Sequence, residues 1–187
     1  LLADLRSIRE SGGHLLLLIN DILDFHKLDA GRMALASTSF RLPSLLRDLA
    51  QAFQLRAGEK GLDFRCALAP DLPSQVLGDP DRLRQILQDL LANAVKFTQQ
   101  GTVTLLGQVE ATWGSQVRLR FEVSDSGPGI PAEAQERIFQ PFEQGEGGLT
   151  RRHGGTGLGL AIAKGLVALM QGEIGFRNAE GAGSTFW

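Results

Sequence analysis

The first 36 residues have the apolar pattern of one long bundle helix. A heptad seam, with alternating steps of four and three residues, passes through Leu1, Leu5, Ile8, Gly12, Leu15, Ile19, Ile22 and His26. Leu16 and Leu23 widen this stripe, which is typical of a helix bundle rather than of a two-stranded coiled coil. A lone helix cannot cover such a stripe, so the pattern predicts a partner helix from another chain or from upstream sequence.

From Ser37 onwards the periodicity becomes that of a domain with both helices and strands. The predicted elements are a helix from Pro43, a strand in 61–68, a helix ending near Phe97, a hairpin in 102–125, an apolar helix in 157–170 and two terminal strands in 172–178 and 184–187. Asp79 or Asp81 can cap the helix that ends near Phe97. This order predicts an α+β fold, a two-layer sandwich in which helices cover one face of a mostly antiparallel sheet.

Composition narrows the function classes. Of the 187 residues 43% are hydrophobic and the formal net charge is −2, so no basic surface for nucleic acid is expected. No apolar run reaches the ~18 residues of a membrane span, and no signal peptide is predicted. Cys66 is the only cysteine, which suits a reducing cytoplasm. Because it alternates with Phe64 and Leu68, we expect Cys66 to be buried.

The stretch DSGPGI (125–130) is the first candidate for binding chemistry. Asp125 ends an alternating strand, where its carboxylate can accept hydrogen bonds from an amine. Gly127 and Gly129 let the backbone approach a flat ligand closely. The alternative is a capped turn, which the same residues would also form well.

A second candidate is the helical stretch DLLANAVKFT (89–98). Asp89, Asn93, Lys96 and Phe97 follow one another at helical spacing and fall close to one face. An asparagine oxygen is a hard ligand suited to Mg²⁺, and a lysine provides a point charge for phosphate. The alternative is an ordinary solvated helix face.

The third candidate is the glycine-rich run RRHGGTGLGLAIAKGL (151–166). Its spacing matches neither the dinucleotide-binding fingerprint nor the Walker A loop. The glycines precede an apolar helix, whose free backbone N–H groups can hold anionic oxygens. They can equally form the hinge of the long loop in 125–155, which has the length of a lid.

The order of these motifs is more specific than any one of them. An N-x-x-K-F helix is followed by D-x-G-x-G-I, IFQPFEQ (138–144), G-G-T-G-L-G-L and GAGSTF (181–186). The series resembles the N box, glycine boxes and F box of the histidine-kinase ATP-binding domain, which has the Bergerat-type fold. The segment SGGHLLLLINDILDFHKLDAG (11–31) is similar to the second helix of the dimerisation and phosphotransfer hairpin of hybrid sensor kinases. The resemblance divides the chain into that helix (1–36) and a catalytic domain (37–187) whose last strand is a candidate for truncation.

The resemblance implies roles for individual residues. Asp125 would bind the adenine amine with Gly129 under the ring, and Thr185 would assist Asp125. Asn93 would coordinate Mg²⁺, and Lys96 would contact phosphate. The further residues implied to bind ATP are Gly127, Ile130, Phe142, Gly155, Thr156, Gly157, Leu158, Gly159 and Leu160.

The lid and its charged residues are also assigned by resemblance. Phe139 and Phe142 would anchor the lid, and Arg152 or His153 would approach the γ-phosphate. The backbone N–H groups of residues 155–159 would wrap the phosphates. The glycines of the run 151–166 would then both bind the phosphates and act as a hinge.

None of the three histidines fits the pattern of the family's phosphoacceptor. His14 precedes Leu15, His26 precedes Lys27 and His153 precedes Gly154, whereas the family has an acidic residue and then Arg-x-Pro. We therefore expect the chain to begin after the phosphoacceptor, to bind Mg·ATP and not to autophosphorylate. The resemblance implies three partners: a phosphoacceptor histidine helix, a response-regulator receiver domain and a second copy through helix 1–36. It also implies a cytoplasmic location, with a parent protein anchored in the inner membrane.

Asp89 departs from the family pattern, which usually has asparagine at this position. Related ATPases place a glutamate four residues before the Mg²⁺-binding asparagine, as a general base. Asp89 has that spacing to Asn93, so an ATPase is one alternative function. A degenerate kinase, whose nucleotide pocket regulates only an interaction, is the other.

Overall fold

The computed structural model describes residues 2–143, 156–179 and 181–187. Its helices are α1 (Leu2–Asp29), α2 (Leu42–Glu59), α3 (Pro80–Phe97), α4 (Ala132–Gln135) and α5 (Gly159–Leu169). Its strands are β1 (Thr38–Phe40), β2 (Asp63–Leu68), β3 (Val76–Gly78), β4 (Thr102–Trp113), β5 (Gln116–Asp125), β6 (Phe176–Ala179) and β7 (Gly183–Phe186). The long helices and the hairpin lie where their apolar periods place them.

The main sheet has five strands in the order β2-β4-β5-β7-β6. Strands β2 and β4 are parallel, and the other three neighbouring pairs are antiparallel. β1 and β3 form a separate antiparallel pair. The predicted α+β class with a mostly antiparallel sheet is confirmed.

The core lies between the inner face of the sheet and helices α2, α3 and α5. Its largest fully buried side chains are Leu42, Leu46, Leu49, Phe53, Leu87, Leu91, Val103, Leu105, Val123, Leu158, Ile162 and Leu166. Removing such large apolar side chains from water is the main favourable contribution to folding. The helix layer therefore holds α3 and the start of α5 in fixed positions against the sheet.

Helix α3 begins at a well-formed cap. Asp79 Oδ1 accepts a hydrogen bond of 3.0 Å from the Arg82 N–H, and Pro80 occupies the first turn, where its missing N–H is not needed. Asp79 Oδ2 accepts a second bond of 2.8 Å from the Ala36 N–H. Of the two predicted caps, Asp79 is therefore the one that is used.

Helix α1 docks on the domain through its C-terminal turns. Asp24 Oδ2 lies 2.6 Å from Arg82 Nη1 and 3.0 Å from Gln85 Nε2. Upstream of this contact, where the structure describes the side chains (from Leu15 on), the apolar stripe of α1 is exposed, from 44% at Ile22 to 63% at Leu16. The partner helix expected for this stripe, and the domain division at residue 36, stay predictions.

Two features of the outer surface bear on the expectations from composition. Cys66 is exposed rather than buried, because β2 is an edge strand and its alternation does not ensure cover by a helix. Among the residues that the structure describes, no helix is both long and apolar enough to cross a membrane.

Candidate functional site

Asp125 stands at the C-terminal end of the central strand β5, with its carboxylate fixed from two sides. Oδ1 accepts a hydrogen bond of 2.8 Å from the Gly127 N–H, and Oδ2 accepts one from the Ser184 hydroxyl. Ser184 is the cross-strand partner of Asp125 on β7. A carboxylate held by two donors keeps one orientation and retains lone pairs for a further donor.

The expectation that Thr185 assists Asp125 is wrong. Side chains alternate between the two faces of a sheet, so Thr185 points away from Asp125 and its hydroxyl lies 2.9 Å from that of Ser124. Ser184, rather than Thr185, donates a hydrogen bond to the Asp125 carboxylate. The motif GAGSTF contained the signal, but only the strand register shows which hydroxyl faces Asp125.

The loop after Asp125 has no room for a side chain at Gly127. A Cβ on Gly127 would lie 2.8 Å from Asp125 Oδ1 and 3.3 Å from the Phe97 carbonyl oxygen. Gly129 has φ +75°, a conformation that glycine adopts without strain. Ile130 follows, with its N–H and C=O both bonded to the side chain of Asn178. Asn178 is a second residue of this site that sequence reasoning missed.

Helix α3 connects the two glycine motifs. Its C-terminal end meets the first motif at Phe97, and a Cβ on Gly159, at the start of α5, would lie 3.5 Å from Asp89 Cγ. Half-buried Asn93 lies on α3 between these two points. Helix α3 thus links the loop after Asp125 to the start of α5, with Asn93 between the two contacts.

Lys96 is also half-buried on α3. Its Nζ lies 4.9 Å from the centre of the Phe97 ring, and burial lowers the pKa of the Lys96 ammonium. An anion at this position would restore the interactions that the partly desolvated ammonium has lost.

The backbone just before α5 is in close contact with Phe142, near the end of the F-box segment (138–144). The Phe142 N–H donates to the Gly157 carbonyl oxygen over 3.0 Å. Gly157 has φ +69°, and a Cβ there would lie 2.9 Å from the Phe142 carbonyl carbon. Phe142 is 66% exposed, and its ring meets that of Phe25 on α1 edge-on, with centroids 6.1 Å apart.

The backbone N–H groups at this helix start are partly used within the chain. The Leu158 N–H donates to Thr156 Oγ1 over 3.0 Å, and the same hydroxyl donates to Asp21 Oδ2 of α1 over 3.1 Å. Leu158 is buried, and Leu160 is half-buried in the first turn of α5. Gly155, Arg152 and His153 lie outside the described residues.

Phe139 packs onto the domain rather than into solvent. Its ring lies 6.2 Å from that of Phe176 and 6.4 Å from that of Phe186, measured between centroids. Lys164 of α5 lies 5.6 Å from the same ring. These contacts attach the segment that precedes residue 144 to β6, β7 and α5. The role of Phe139 and Phe142 as lid anchors stays a prediction.

This arrangement can be compared with known proteins. A family model described as "Histidine kinase-, DNA gyrase B-, and HSP90-like ATPase" matches residues 78–187, which is more than half of the chain. The chain belongs to this ATPase family. The match includes α3, both glycine motifs and the strands that hold Asp125.

Relatives place the chain in the histidine-kinase branch of the family. It is 42% identical over 183 residues to the signal transduction histidine-protein kinase BarA of Escherichia coli (strain K12), covering 98% of this chain and 20% of BarA. It is 40% identical over 184 residues to the sensory/regulatory protein RpfC of Xanthomonas campestris, covering 98% of this chain and 25% of RpfC. The chain therefore spans about a fifth to a quarter of the length of these curated relatives.

Solved structures agree with this placement. The chain is similar to full-length ShkA in complex with AMPPNP, with a TM-score of 0.81 and 42% identity over 97% of this chain and 36% of that one. It is also similar to the histidine kinase ThkA in complex with the response regulator protein TrrA, with a TM-score of 0.67 and 26% identity over 96% of this chain and 47% of that one. The region is the catalytic, ATP-binding domain of a histidine kinase.

Asp89 is unusual among the acidic groups of this kinase domain. Burial, and second the charge of Asp21 on α1, raise the pKa of Asp89 from 3.8 to about 7. A raised acid pKa means that the folded state binds the proton more tightly than the unfolded chain. Protonation of Asp89 therefore stabilises the folded state fully below about pH 4, and this stabilisation is lost as the pH rises to about 7.

Asp89→Asn should therefore stabilise the domain most at alkaline pH. We expect its advantage in free energy of unfolding over the parent chain to shrink by about 2 kcal/mol between pH 8 and pH 5. Urea unfolding at the two pH values measures this, with the exposed Asp71→Asn as the control for a general change in charge. An advantage that is the same at both pH values would show that the Asp89 carboxylate is not desolvated.

Proposed function

We propose that this catalytic domain transfers the γ-phosphoryl group of ATP to a histidine outside residues 1–187. The P–O bond to ADP breaks as a P–N bond to the imidazole forms, and the phosphoryl group then passes to an aspartate of a receiver domain. The supporting observation is the Asp125 carboxylate, which Ser184 and Gly127 orient. It lies beside a loop in which no Cβ fits at Gly127. Positioning and charge neutralisation provide most of the catalysis in such transfers.

The adenine end of the site is assigned to Asp125 and the loop behind it. The fixed carboxylate accepts a hydrogen bond from the exocyclic amino group, which adenine has and guanine lacks at that position. Gly127, Gly129 and Ile130 form the backbone surface under the ring, since no side chain fits at Gly127.

The phosphate end is assigned to α3 and the start of α5. Lys96 would contact the phosphates through its partly desolvated ammonium. The backbone around Gly157 and Gly159 lies at a helix N-terminus, which favours anions. The amide oxygen of Asn93 would hold Mg²⁺, a ligand type that this ion accepts. When bound, Mg²⁺ neutralises charge on the phosphates.

The partners of the complete protein are part of the proposal. The exposed stripe of α1 is suited to a second helix and to a second copy of the chain. ThkA, which has a similar fold, forms a complex with a response regulator, and a receiver domain is the partner proposed here. We place this domain in the cytoplasm, where ATP is available, and anchor the parent protein in the inner membrane.

ATP hydrolysis is a second candidate function, favoured by one observation. With a pKa of about 7, Asp89 has the proton affinity that suits a general base near neutral pH. Release of phosphate that Asp89→Asn abolishes would favour hydrolysis over transfer. A degenerate interaction module would instead show no binding of ATP with Mg²⁺.

The metal assignment predicts that Asn93→Ala loses the contribution of Mg²⁺ to ATP binding. For the parent chain we expect ATP to bind about 10-fold more tightly with Mg²⁺ than with EDTA, a difference of about 1.4 kcal/mol. In Asn93→Ala the two dissociation constants should converge. Calorimetric titration measures both, and Gln88→Ala, at an exposed position of the same helix, is the matched control. An Asn93→Ala chain with the full Mg²⁺ effect would contradict the assignment.

A further inference from the structure

Three polar residues form one row across three strands at the candidate adenine site. Asp125 on β5 pairs with Ser184 on β7, and Ser184 pairs with Asn178 on β6. Directly paired residues of neighbouring strands point to the same face of a sheet. Asn178 is therefore on the face of the Asp125 carboxylate, two strands away from it.

The side chain of Asn178 bonds both backbone groups of Ile130. Its Oδ1 accepts a bond of 2.6 Å from the Ile130 N–H, and its Nδ2 donates one of 2.8 Å to the Ile130 carbonyl oxygen. Gln135 Nε2 donates to the same carbonyl oxygen over 3.0 Å. A planar amide that uses both ends on one residue fixes the position and the direction of that backbone segment.

The other end of the same segment is held by the turn between β6 and β7. The Gly181 N–H donates to the Pro128 carbonyl oxygen over 2.9 Å. Gly129, with φ +75°, lies between these two attachments. The segment from Pro128 to Ile130, which includes Gly129, is thus bound to the β6–β7 hairpin at both ends.

We propose that Asn178 is a positioning residue that sets the height and tilt of the loop at Gly129 relative to the Asp125 carboxylate. This proposal depends on the proposed ATP-binding role of Asp125. The carboxylate can recognise an amino group only when the ring lies at the correct height in front of it. Asn178 therefore contributes to the preference for adenine over guanine without touching the base.

The test measures binding of ATP and of GTP to Asn178→Ala by competition against a fluorescent ATP analogue. We expect the dissociation constant for ATP to rise about 10-fold. That for GTP should change little, because guanine presents a carbonyl oxygen where adenine has its amino group and gains less from Asp125. The ratio of the two constants should therefore fall about 10-fold.

Arg177→Ala is the matched control. Arg177 is the neighbouring residue on β6, points to the other face and lies 3.1 Å from Glu122 across the sheet. We expect it to leave both dissociation constants unchanged. If Asn178→Ala weakens ATP and GTP equally, or only lowers the melting temperature, the positioning role is wrong.

A second variant keeps the test valid if Asn178→Ala does not fold. Asn178→Asp retains the acceptor for the Ile130 N–H and loses the donor to its carbonyl oxygen. It should have an intermediate ATP-to-GTP ratio; a ratio equal to that of the parent chain would overturn the proposal. If the parent chain binds no ATP, the proposed function itself fails. If it binds ATP and the variants keep its selectivity, only the present inference fails.

Discussion

Asp125→Asn should raise the dissociation constant for ATP about 100-fold and leave the fold intact. The amide has the same shape as the carboxylate, but it lacks the charge and replaces one acceptor by a donor. Loss of the charge-assisted hydrogen bond to the adenine amino group, at about 1.5–3 kcal/mol, accounts for an effect of this size. Ser184 can still donate to the remaining oxygen, which keeps the strand ends together.

Calorimetry with Mg²⁺ and ATP, together with circular dichroism, measures this effect. Asp71→Asn is the control, because Asp71 is exposed on a turn away from the site. A change of less than about 3-fold in Asp125→Asn, which corresponds to about 0.7 kcal/mol, would mean that Asp125 is not the adenine contact.

Gly183→Ala should strongly destabilise the domain and abolish ATP binding. A Cβ at this position would lie only 1.9 Å from the Asp125 carbonyl oxygen, and the backbone has φ +98°. The backbone at Gly183 and the backbone at Asp125 cannot move apart without breaking the pairing of β5 with β7. This pairing also places Ser184 at the Asp125 carboxylate. We expect a loss of about 2–4 kcal/mol in the free energy of unfolding.

The neighbouring Gly181 provides a matched control. It also has a positive φ, +75°, but a Cβ there would meet no atom within 4 Å. Gly181→Ala therefore has only the conformational penalty, about 1 kcal/mol, and should retain most of its ATP affinity. Thermal unfolding of both variants tests this; equal shifts in melting temperature would show that contact with Asp125 is not the cause.

Apolar periodicity was sufficient to predict the large elements of the fold. Helix α3 ends at Phe97 and begins directly after Asp79, as expected, and the hairpin of β4 and β5 lies within 102–125. The three-residue strands β1 and β3 were not predicted, because so short a segment has no measurable period. The burial of Cys66 was predicted wrongly, since alternation does not show that β2 lies at the edge of the sheet.

In the site, as in the fold, features with a local sequence pattern were predicted, and features that depend on tertiary placement were missed. The motif order predicted Asp125, Asn93 and both glycine motifs as site residues, because each belongs to a local sequence with a local geometry. Ser184 and Asn178 were missed, because only the register of β5, β7 and β6 puts them in line with Asp125. The contact of Thr156 with Asp21 is likewise set by the docking of α1, which no local pattern encodes.

The most direct test of the central claim is to incubate this chain with Mg²⁺ and γ-labelled ATP. The measurement is how the label is distributed among ATP, free phosphate and the protein. A catalytic domain whose histidine lies outside the chain should retain the nucleotide, with the label recovered as intact ATP and none attached to the protein. Nucleotide that is not retained would contradict the kinase assignment. Label released as free phosphate, and no longer released in Asp89→Asn, would contradict it in favour of an ATPase.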